Sequence, residues 1–141
     1  MALTIDTSTE FGAQVARRLE SEQVGWLTTV RADGLPQPTP VWFHWDGETM
    51  LVFSEPTARK VLNLAENPKA SLHFNCGAAG GDVVVFAGTA TVTTELPADA
   101  RQEAYLAKYA EGVKQLGLTR ESLLKTYSAV IYLTPSRVSG H

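Results

Sequence analysis

Three prolines at alternate positions, Pro36, Pro38 and Pro40, restrict the fold of this chain more than any other feature of its sequence. The segment around them is otherwise typical of a β-strand, yet proline has no backbone N–H to donate to a neighbouring strand. A central strand that is paired on both sides does not tolerate three such residues. The pattern therefore places the start of this strand at a sheet edge, at a bulge or beside a bound ligand, where no donor is required.

The segments around the prolines predict an antiparallel meander. Residues 24–30 are β-branched and aromatic, and Asp33-Gly34 after them is a hairpin turn signal. Residues 39–45 then alternate in character, and Asp46-Gly47 leads into a third strand over 49–53. Because two tight turns join these three segments, neighbouring strands in the meander are expected to be antiparallel.

The rest of the chain alternates between strand and helix signals. Phe11, Val15 and Leu19 form one apolar stripe of a first helix, with Thr7 as its expected cap and Arg17 and Arg18 off the stripe. Further helices are predicted over 58–65 (with Thr57 as the cap), from Pro97 to about Tyr109, and over 119–127, and further strands over 70–75, 83–93 and 128–134. The prediction is a mainly β single domain over 1–141, a six-stranded antiparallel closed or split barrel with peripheral helices.

Composition excludes several classes of function. The chain has 12 Lys and Arg against 15 Asp and Glu, a net charge of -3, and no run rich in basic residues, so nucleic acid is not an expected partner. Its apolar runs are too short to span a membrane, and Asp6 and Glu10 lie where a signal peptide would be basic and then apolar. A single cysteine, Cys76, allows no internal disulfide, which fits a cytoplasmic location.

Nucleophilic and metal chemistry find little support in the sequence. There is no Gly-x-Ser-x-Gly motif, and His44, His73 and His141 have no histidine partner at helical spacing. His73 and Cys76 would supply only half of a zinc site. We therefore expect no metal site, and no side chain is an obvious general acid or base.

An anion site is the stronger candidate. Ser54, Thr57, Arg59 and Lys60 surround the start of the short helix over 58–65, where hydroxyls, backbone N–H groups and two cations can converge on a phosphate. The alternative is an ordinary capped helix that carries two solvated basic residues, and spacing alone favours it. Positive charge at a helix N-terminus is locally unfavourable, however, and a bound anion would compensate it.

Several segments, taken in order, resemble the pyridoxamine 5'-phosphate oxidase-like split-barrel proteins. Within that family the chain is most similar to the actinobacterial branch that depends on the deazaflavin coenzyme F420. The resemblance covers about residues 8–141 and rests on the segments 24–30, 33–34, 36–43, 54–60, 63–68, 80–85, 88–90 and 105–109. The order of these segments is specific, although no single one of them is.

The resemblance implies a homodimer of split barrels with two cofactor sites at the interface. It implies that the cofactor phosphate is held by Lys60 with Ser54, Thr57 and Arg59, and that the ring is bordered by Thr39, Pro40, Val41 and Trp42. It also implies an oxidoreductase in which the cofactor ring carries the redox chemistry and the protein supplies position and a dry pocket. The expected reaction is hydride transfer between reduced coenzyme F420 and a small conjugated organic substrate.

Two alternatives to this function remain open. One is an FMN-dependent oxidoreductase of the same fold, and the other is a carrier that binds a flavin or haem without turnover. Oxidation of vitamin B6 is not expected, because the Arg and Tyr that grip the substrate phosphate in true pyridoxamine phosphate oxidases lack clear counterparts. Arg137 is either an anion contact or an exposed tail charge, and Arg59 with Arg17 or Arg18 would supply a basic exit for the glutamate tail of coenzyme F420.

Overall fold

The computed structural model of the chain describes residues 3–141 and contains a seven-stranded antiparallel sheet with the strand order β2-β1-β5-β6-β7-β4-β3. The strands are β1 (Gly25–Val30), β2 (Pro36–Val41), β3 (His44–Trp45), β4 (Met50–Ser54), β5 (Lys69–His73), β6 (Val84–Thr93) and β7 (Ala129–Gly140). The helices are α1 (Glu10–Ser21), α2 (Arg59–Glu66), α3 (Asp99–Lys108), α4 (Ala110–Gln115) and α5 (Arg120–Thr126). The predicted class, mainly β with peripheral helices around a split barrel, is confirmed.

The proline-rich strand lies at the edge of the sheet, as its sequence predicts. β2 pairs with β1 alone, and Pro36, Pro38 and Pro40 lie opposite Val30, Thr28 and Trp26. All three prolines are exposed, whereas the residues between them are partly buried. Because alternate residues direct their backbone groups to the same side, the absent N–H groups fall on the free edge and no ladder hydrogen bond is lost.

The strand predicted over 39–45 is in fact two strands, so the sheet has seven strands rather than six. β2 ends at Val41, and the chain resumes as β3 at the opposite end of the sheet, where His44 pairs with Leu51. Between them the Phe43 N–H donates to the Tyr109 hydroxyl at 2.8 Å instead of to a strand. A side chain from a distant helical segment therefore takes the place of a ladder partner and divides the strand.

One apolar cluster fills the inside of the half-barrel. Val41 near one sheet edge and Met50 near the other both belong to it, so the sheet curls around this cluster. α1 and α2 close it with Val15, Leu19 and Leu64. We call it the barrel core; its buried members are Val15, Leu19, Leu27, Val41, Phe43, Met50, Val52, Leu64, Ala70, Leu72, Phe74, Val84, Phe86, Ala90, Ile131 and Leu133.

A second apolar cluster lies on the other face of β4 and β7, under α3, α4 and α5. We call it the helical layer; its buried members are Leu51, Phe53, Tyr105, Tyr109, Val113, Leu123 and Val130. The sequence predicts α3 and α5 but not α4, which is only six residues long. None of the helices between residues 3 and 141 is long and apolar enough to cross a membrane.

Two further details of the fold differ from the sequence prediction. The cap of α1 is Thr9 rather than Thr7, since the Thr9 hydroxyl accepts the Gly12 N–H at 2.9 Å. β7 continues to Gly140 instead of ending at Thr134, because a register shift between Ala87 and Gly88 accommodates Pro135 within the strand.

Candidate functional site

A cavity of about 280 Å³ lies where the end of β2, the connection from β4 to α2 and the helical layer meet. Its walls are mostly apolar and aromatic, with a short polar end beside α2. The residues that line it are Pro40, Val41, Trp42, Phe53, Ser54, Glu55, Ala58, Lys60, Tyr105, Leu116, Leu123 and Tyr127.

The structure brings together five of the eight site residues that the sequence predicts. Pro40, Val41 and Trp42 line the cavity from the end of β2, and Ser54 and Lys60 line it from the opposite side. Both groups, the predicted ring border and the predicted phosphate end, thus line one space although Trp42 and Ser54 are 12 positions apart in the chain.

The other three predicted residues lie outside this lining. Thr39 faces the opposite way from Pro40 on β2, and its hydroxyl oxygen is buried without a hydrogen-bond partner in the described part of the chain. Thr57 is exposed. Arg59 is exposed as well, and it borders a neighbouring depression that also contains Arg31.

Lys60 forms the cationic end of the cavity. Its side chain is partly buried, and this burial lowers the pKa of the amine, an effect that the nearby Glu55 carboxylate partly opposes. Within residues 3–141, Lys60 makes no ion pair. A partly desolvated cation that has no ion-pair partner among the described residues favours an anion beside it.

The start of α2 adds to this polarity. The N-cap residue is Ala58, which has no side chain able to accept a hydrogen bond, so the predicted cap by Thr57 is wrong. The first N–H groups of α2 therefore have no side-chain acceptor in the described part of the chain, and they lie beside Lys60 at the positive end of the helix dipole. An anion between Lys60 and these N–H groups would satisfy both.

Ser54 contributes to the shape of the cavity more than to its charge. The residue is 2% exposed, and its hydroxyl donates to the Glu55 carbonyl at 3.0 Å. This local hydrogen bond lies where β4 ends and the chain turns towards α2.

The aromatic wall is held rigidly. The Trp42 ring stacks on Tyr109 with centroids 4.6 Å apart and an angle of 2° between the planes. A Cβ on Gly112 would come within 2.9 Å of the Trp42 ring, so the absence of a side chain there lets α4 cover the indole. The Tyr109 hydroxyl accepts the Phe43 N–H and lies 2.8 Å from the Gln23 carbonyl oxygen. Trp42 is therefore positioned before any ligand arrives.

The remaining walls suit a flat apolar ligand. Tyr105 is 2% exposed, and burial raises the pKa of its hydroxyl, so the side chain stays neutral at physiological pH. Phe53, Leu123 and Tyr127 complete this side, and Leu116 lies at the mouth, where it is 62% exposed. The arrangement can hold a planar ring against aromatic and aliphatic side chains and an anion at the α2 end.

The contribution of the helical layer to the cavity was not predicted from the sequence. Tyr105 belongs to one of the segments that resemble the family, but nothing in its spacing indicated contact with the cavity. The role of Asn63 was not predicted either: it is buried and donates to the Thr29 hydroxyl at 3.0 Å and to the Gln37 side-chain oxygen at 2.8 Å. These hydrogen bonds fix α2, and Lys60 with it, against β1 and β2.

Arg18 does not lie where the sequence predicts. It is 6% exposed, pairs with Glu22 at 2.6 Å and Asp82 at 2.9 Å, and donates to the Asn75 carbonyl. Its charge is thus satisfied inside the fold, and it is not available to a cofactor tail. Arg17 and Arg137 are exposed and lie outside the cavity lining.

Comparison with known proteins agrees with this architecture. Residues 11–141 match the sequence profile of the family described as pyridoxamine 5'-phosphate oxidase. The solved structures that share the fold include three of low sequence identity. A candidate pyridoxamine 5'-phosphate oxidase from Listeria innocua is 22% identical, with a TM-score of 0.67 over 92% of this chain and 97% of that one.

The other two structures differ in what they bind. A protein named as an F420 reductase is 24% identical, with a TM-score of 0.66 over 87% of this chain and 94% of that chain. HutZ, the haem storage protein from Vibrio cholerae, is 18% identical, with a TM-score of 0.66 over 91% of this chain and 92% of that chain. At these identities the likenesses establish the fold alone. The profile match spans most of the sequence, and on that ground the chain belongs to the pyridoxamine 5'-phosphate oxidase family.

Proposed function

We propose that this protein is an oxidoreductase that binds coenzyme F420 in the cavity beside Lys60 and acts on a small conjugated organic substrate. The proposal rests on two features that meet in one cavity. One is an apolar wall in which Trp42 stacks on Tyr109. The other is Lys60, a partly buried lysine that has no ion-pair partner among the described residues and lies at a helix start without a side-chain cap. A cofactor with a tricyclic ring and a phosphate matches both features, the ring at the apolar wall and the phosphate at the lysine. When bound, the deazaflavin supplies the hydride chemistry.

The residues of this chain would act by binding and positioning. Trp42, held by Tyr109, borders the ring, and Pro40 and Val41 present the end of an exposed strand edge to it. Lys60 and the first N–H groups of α2 would hold the phosphate. The apolar side chains of the helical layer would exclude water from the ring.

The proposal includes a second copy of the chain. A cavity of about 280 Å³ is at the lower limit for small-molecule sites, and a tricyclic ring with a phosphate and tail would extend beyond it. A continuous face lies beside the cavity and consists of the exposed strand β2 with the partly exposed Trp26 and His73. The rings of Trp26 and His73 stack with their centroids 6.4 Å apart. A two-fold dimer through this face would cover the rest of the ligand. Light scattering at micromolar concentration tests this, and a mass of 15.3 kDa, that of one chain, contradicts it.

The decisive experiment is a titration of the purified protein with coenzyme F420, FMN and haem in parallel. We expect coenzyme F420 to bind more tightly than FMN, with an affinity that falls as salt is added, because its glutamate tail would contact exposed cations such as Arg59. Reduced coenzyme F420 should then be oxidised when an enone or quinone is added. Tighter binding of FMN would contradict the choice of cofactor.

Variants of the basic residues locate the phosphate. Lys60→Ala should weaken binding of coenzyme F420 and of FMN by roughly 10- to 150-fold, the scale of a charge-assisted hydrogen bond. Arg59→Ala should weaken binding of coenzyme F420 alone. Lys125→Ala removes an exposed charge on α5 and should have no effect. Equal affinities in Lys60→Ala and Lys125→Ala would show that Lys60 does not hold the phosphate.

A haem or flavin carrier is the second candidate, and the likeness to a haem storage protein favours testing it. In that case haem binds more tightly than either flavin in the same titration, or coenzyme F420 binds without hydride transfer to any acceptor. Either result would replace the oxidoreductase proposal and leave the family assignment intact.

A further inference from the structure

A second recess lies on the other side of α3 from the candidate site. It is a groove of about 950 Å³ between the segment that precedes α1, α1 itself, β3 and α3, and it shares no lining residue with the cavity beside Lys60. Leu3, Ile5, Leu19 and Trp45 give it an apolar floor. Nothing in the function proposed above uses this groove.

Lys108 is the polar anchor of the groove. Its Nζ donates to the Phe43 carbonyl at 2.8 Å and lies 3.7 Å from the centroid of the Phe43 ring. An ammonium group has three donors, and in the described residues this carbonyl is the only acceptor that Lys108 meets. Among residues 3–141 no carboxylate pairs with it, and Glu22 acts on it only at longer range. A half-buried positive charge thus lines the groove, with two donors that no described residue accepts.

His44 lines the same groove and also has an unmet polar atom. Its Nδ1 is buried and finds no hydrogen-bond partner between residues 3 and 141. Burial lowers the pKa of the imidazole, and the positive charges of Arg101 and Lys108 lower it further against the opposing effect of Asp46. His44 is therefore neutral at physiological pH, so it neither attracts nor repels a charged ligand.

Of the two cations next to His44, Arg101 and Lys108, only Lys108 has no ion-pair partner among residues 3–141. Arg101 is paired with Asp46 at 3.2 Å and donates to the Thr49 hydroxyl at 2.6 Å, so its charge has a counter-ion, although its buried Nε has no partner among the described residues. Glu20 is exposed at the rim of the groove. Burial of a cation costs free energy unless an anion pairs with it, and here the apolar floor would hold the rest of a molecule that carries such an anion.

We propose that this groove binds a small amphipathic carboxylate, with the carboxylate on Lys108 Nζ and the hydrocarbon part against Leu3, Ile5, Leu19 and Trp45. The ligand class follows from one fixed cation next to an extended apolar floor. The proposal does not rest on the function of the cavity beside Lys60, and either one can hold without the other.

The test uses 2-naphthoate as the probe and calorimetric titration of the full chain. The wild type should bind it saturably, and Lys108→Met, which keeps an apolar stem of similar length, should bind it at least 10-fold more weakly. The neutral analogue 2-naphthalenemethanol should bind the wild type and Lys108→Met equally. Lys114→Met, which removes an exposed charge on α4, is the matched control and should bind 2-naphthoate like the wild type.

Two further variants keep the result decisive. Glu20→Gln removes the carboxylate at the rim and should strengthen binding of 2-naphthoate about two- to threefold, a gain that a misfolded variant cannot show. Lys60→Ala should leave that binding unchanged. Loss of binding in Lys60→Ala but not in Lys108→Met would place the probe in the other cavity and overturn the proposal. Absence of saturable binding at millimolar 2-naphthoate would overturn it as well.

Discussion

The two faces of β4 and β7 support two clusters that differ in chemistry. In β4, Met50 and Val52 point into the barrel core, whereas Leu51 and Phe53 point into the helical layer, and the whole strand is buried. The buried members of the barrel core carry no polar side-chain atom other than the sulfur of a methionine. The helical layer instead contains tyrosines and borders Trp42. One face of these strands thus stabilises the fold, and the other builds the wall of a cavity.

The difference lies in what each cluster needs in order to be buried. Aliphatic and phenylalanine side chains require only close packing, so the barrel core is satisfied by shape. A buried tyrosine also requires a partner for its hydroxyl, and Tyr109 finds one at Phe43, where the chain crosses from β2 to β3. The helical layer therefore depends on specific polar contacts. Loss of one such contact should cost less stability than a cavity in the barrel core.

The largest effect is expected from truncation in the barrel core. Phe86 is fully buried, and its ring packs edge to face with that of Phe74, with the ring centroids 5.9 Å apart. Phe86→Ala therefore leaves a cavity that the curled sheet cannot close. The free energy of unfolding should fall by about 3–5 kcal/mol, measured by urea denaturation. Phe86→Leu keeps most of the volume and should lose much less.

The same variants test whether the two clusters act separately. At a temperature where Phe86→Leu is folded, its affinity for coenzyme F420 should equal that of the wild type. A marked loss of affinity would show that the barrel core also shapes the site and that the two clusters do not act separately.

A smaller effect is expected from removal of one hydroxyl in the helical layer. Tyr109→Phe leaves the buried Phe43 N–H without an acceptor, while the stack on Trp42 is retained. The free energy of unfolding should fall by about 2 kcal/mol, the cost of an unsatisfied buried donor. Tyr127→Phe is the matched control, because within the described residues its hydroxyl makes no hydrogen bond, and it should be nearly neutral. Equal losses in the two variants would mean that the hydroxyl bond to Phe43 contributes little.

Much of the sheet could be predicted because its signals are local. Alternate prolines, two Asp-Gly turns and β-branched runs each reflect the backbone of their own segment, and they predicted the edge strand and the meander. The division of the strand at Phe43 depends on Tyr109, a residue 66 positions further along the chain, and no local pattern reports that contact. The continuation of β7 through Pro135 likewise depends on a bulge opposite Gly88.

The candidate site divides in the same way. Pro40, Val41 and Trp42 were predicted from the family resemblance alone. Ser54 and Lys60 were predicted from the hydroxyl and basic residues around a short helix start, and the resemblance then raised that prediction above an ordinary capped helix. Tyr105, Leu116 and Leu123 come from helices whose packing on β4 is a tertiary property. Arg18 was placed outside the apolar stripe of α1 because a charged residue was assumed to be solvated. Its partner Asp82 is 64 residues away in the chain.

The smallest expected effect concerns Lys108, which lies between the two clusters. Its Nζ is 3.7 Å from the centroid of Phe43 in the barrel core and 5.1 Å from that of Tyr109 in the helical layer. Burial lowers the pKa of Lys108 to about 8, and the carboxylate of Glu22, the residue after α1, opposes this only in part. In an unfolded chain the pKa of a lysine is about 10.4.

The sign of the pH dependence follows from these two values. Between about pH 8 and pH 10.4 the unfolded chain holds the proton of Lys108 more tightly than the folded protein, so the contribution of Lys108 to the free energy of unfolding rises with pH. Because the amine is only half-buried, solvent screening reduces the gain to about 1 kcal/mol over this window. Urea denaturation of the wild type and of Lys108→Met at pH 7.5, 8.5 and 9.5 should show the wild type gaining on the variant at each step. For the control Lys114→Met, the difference in free energy of unfolding from the wild type should be the same at each pH. If the difference for Lys108→Met is also constant, water reaches the boundary between the two clusters more freely than its packing indicates.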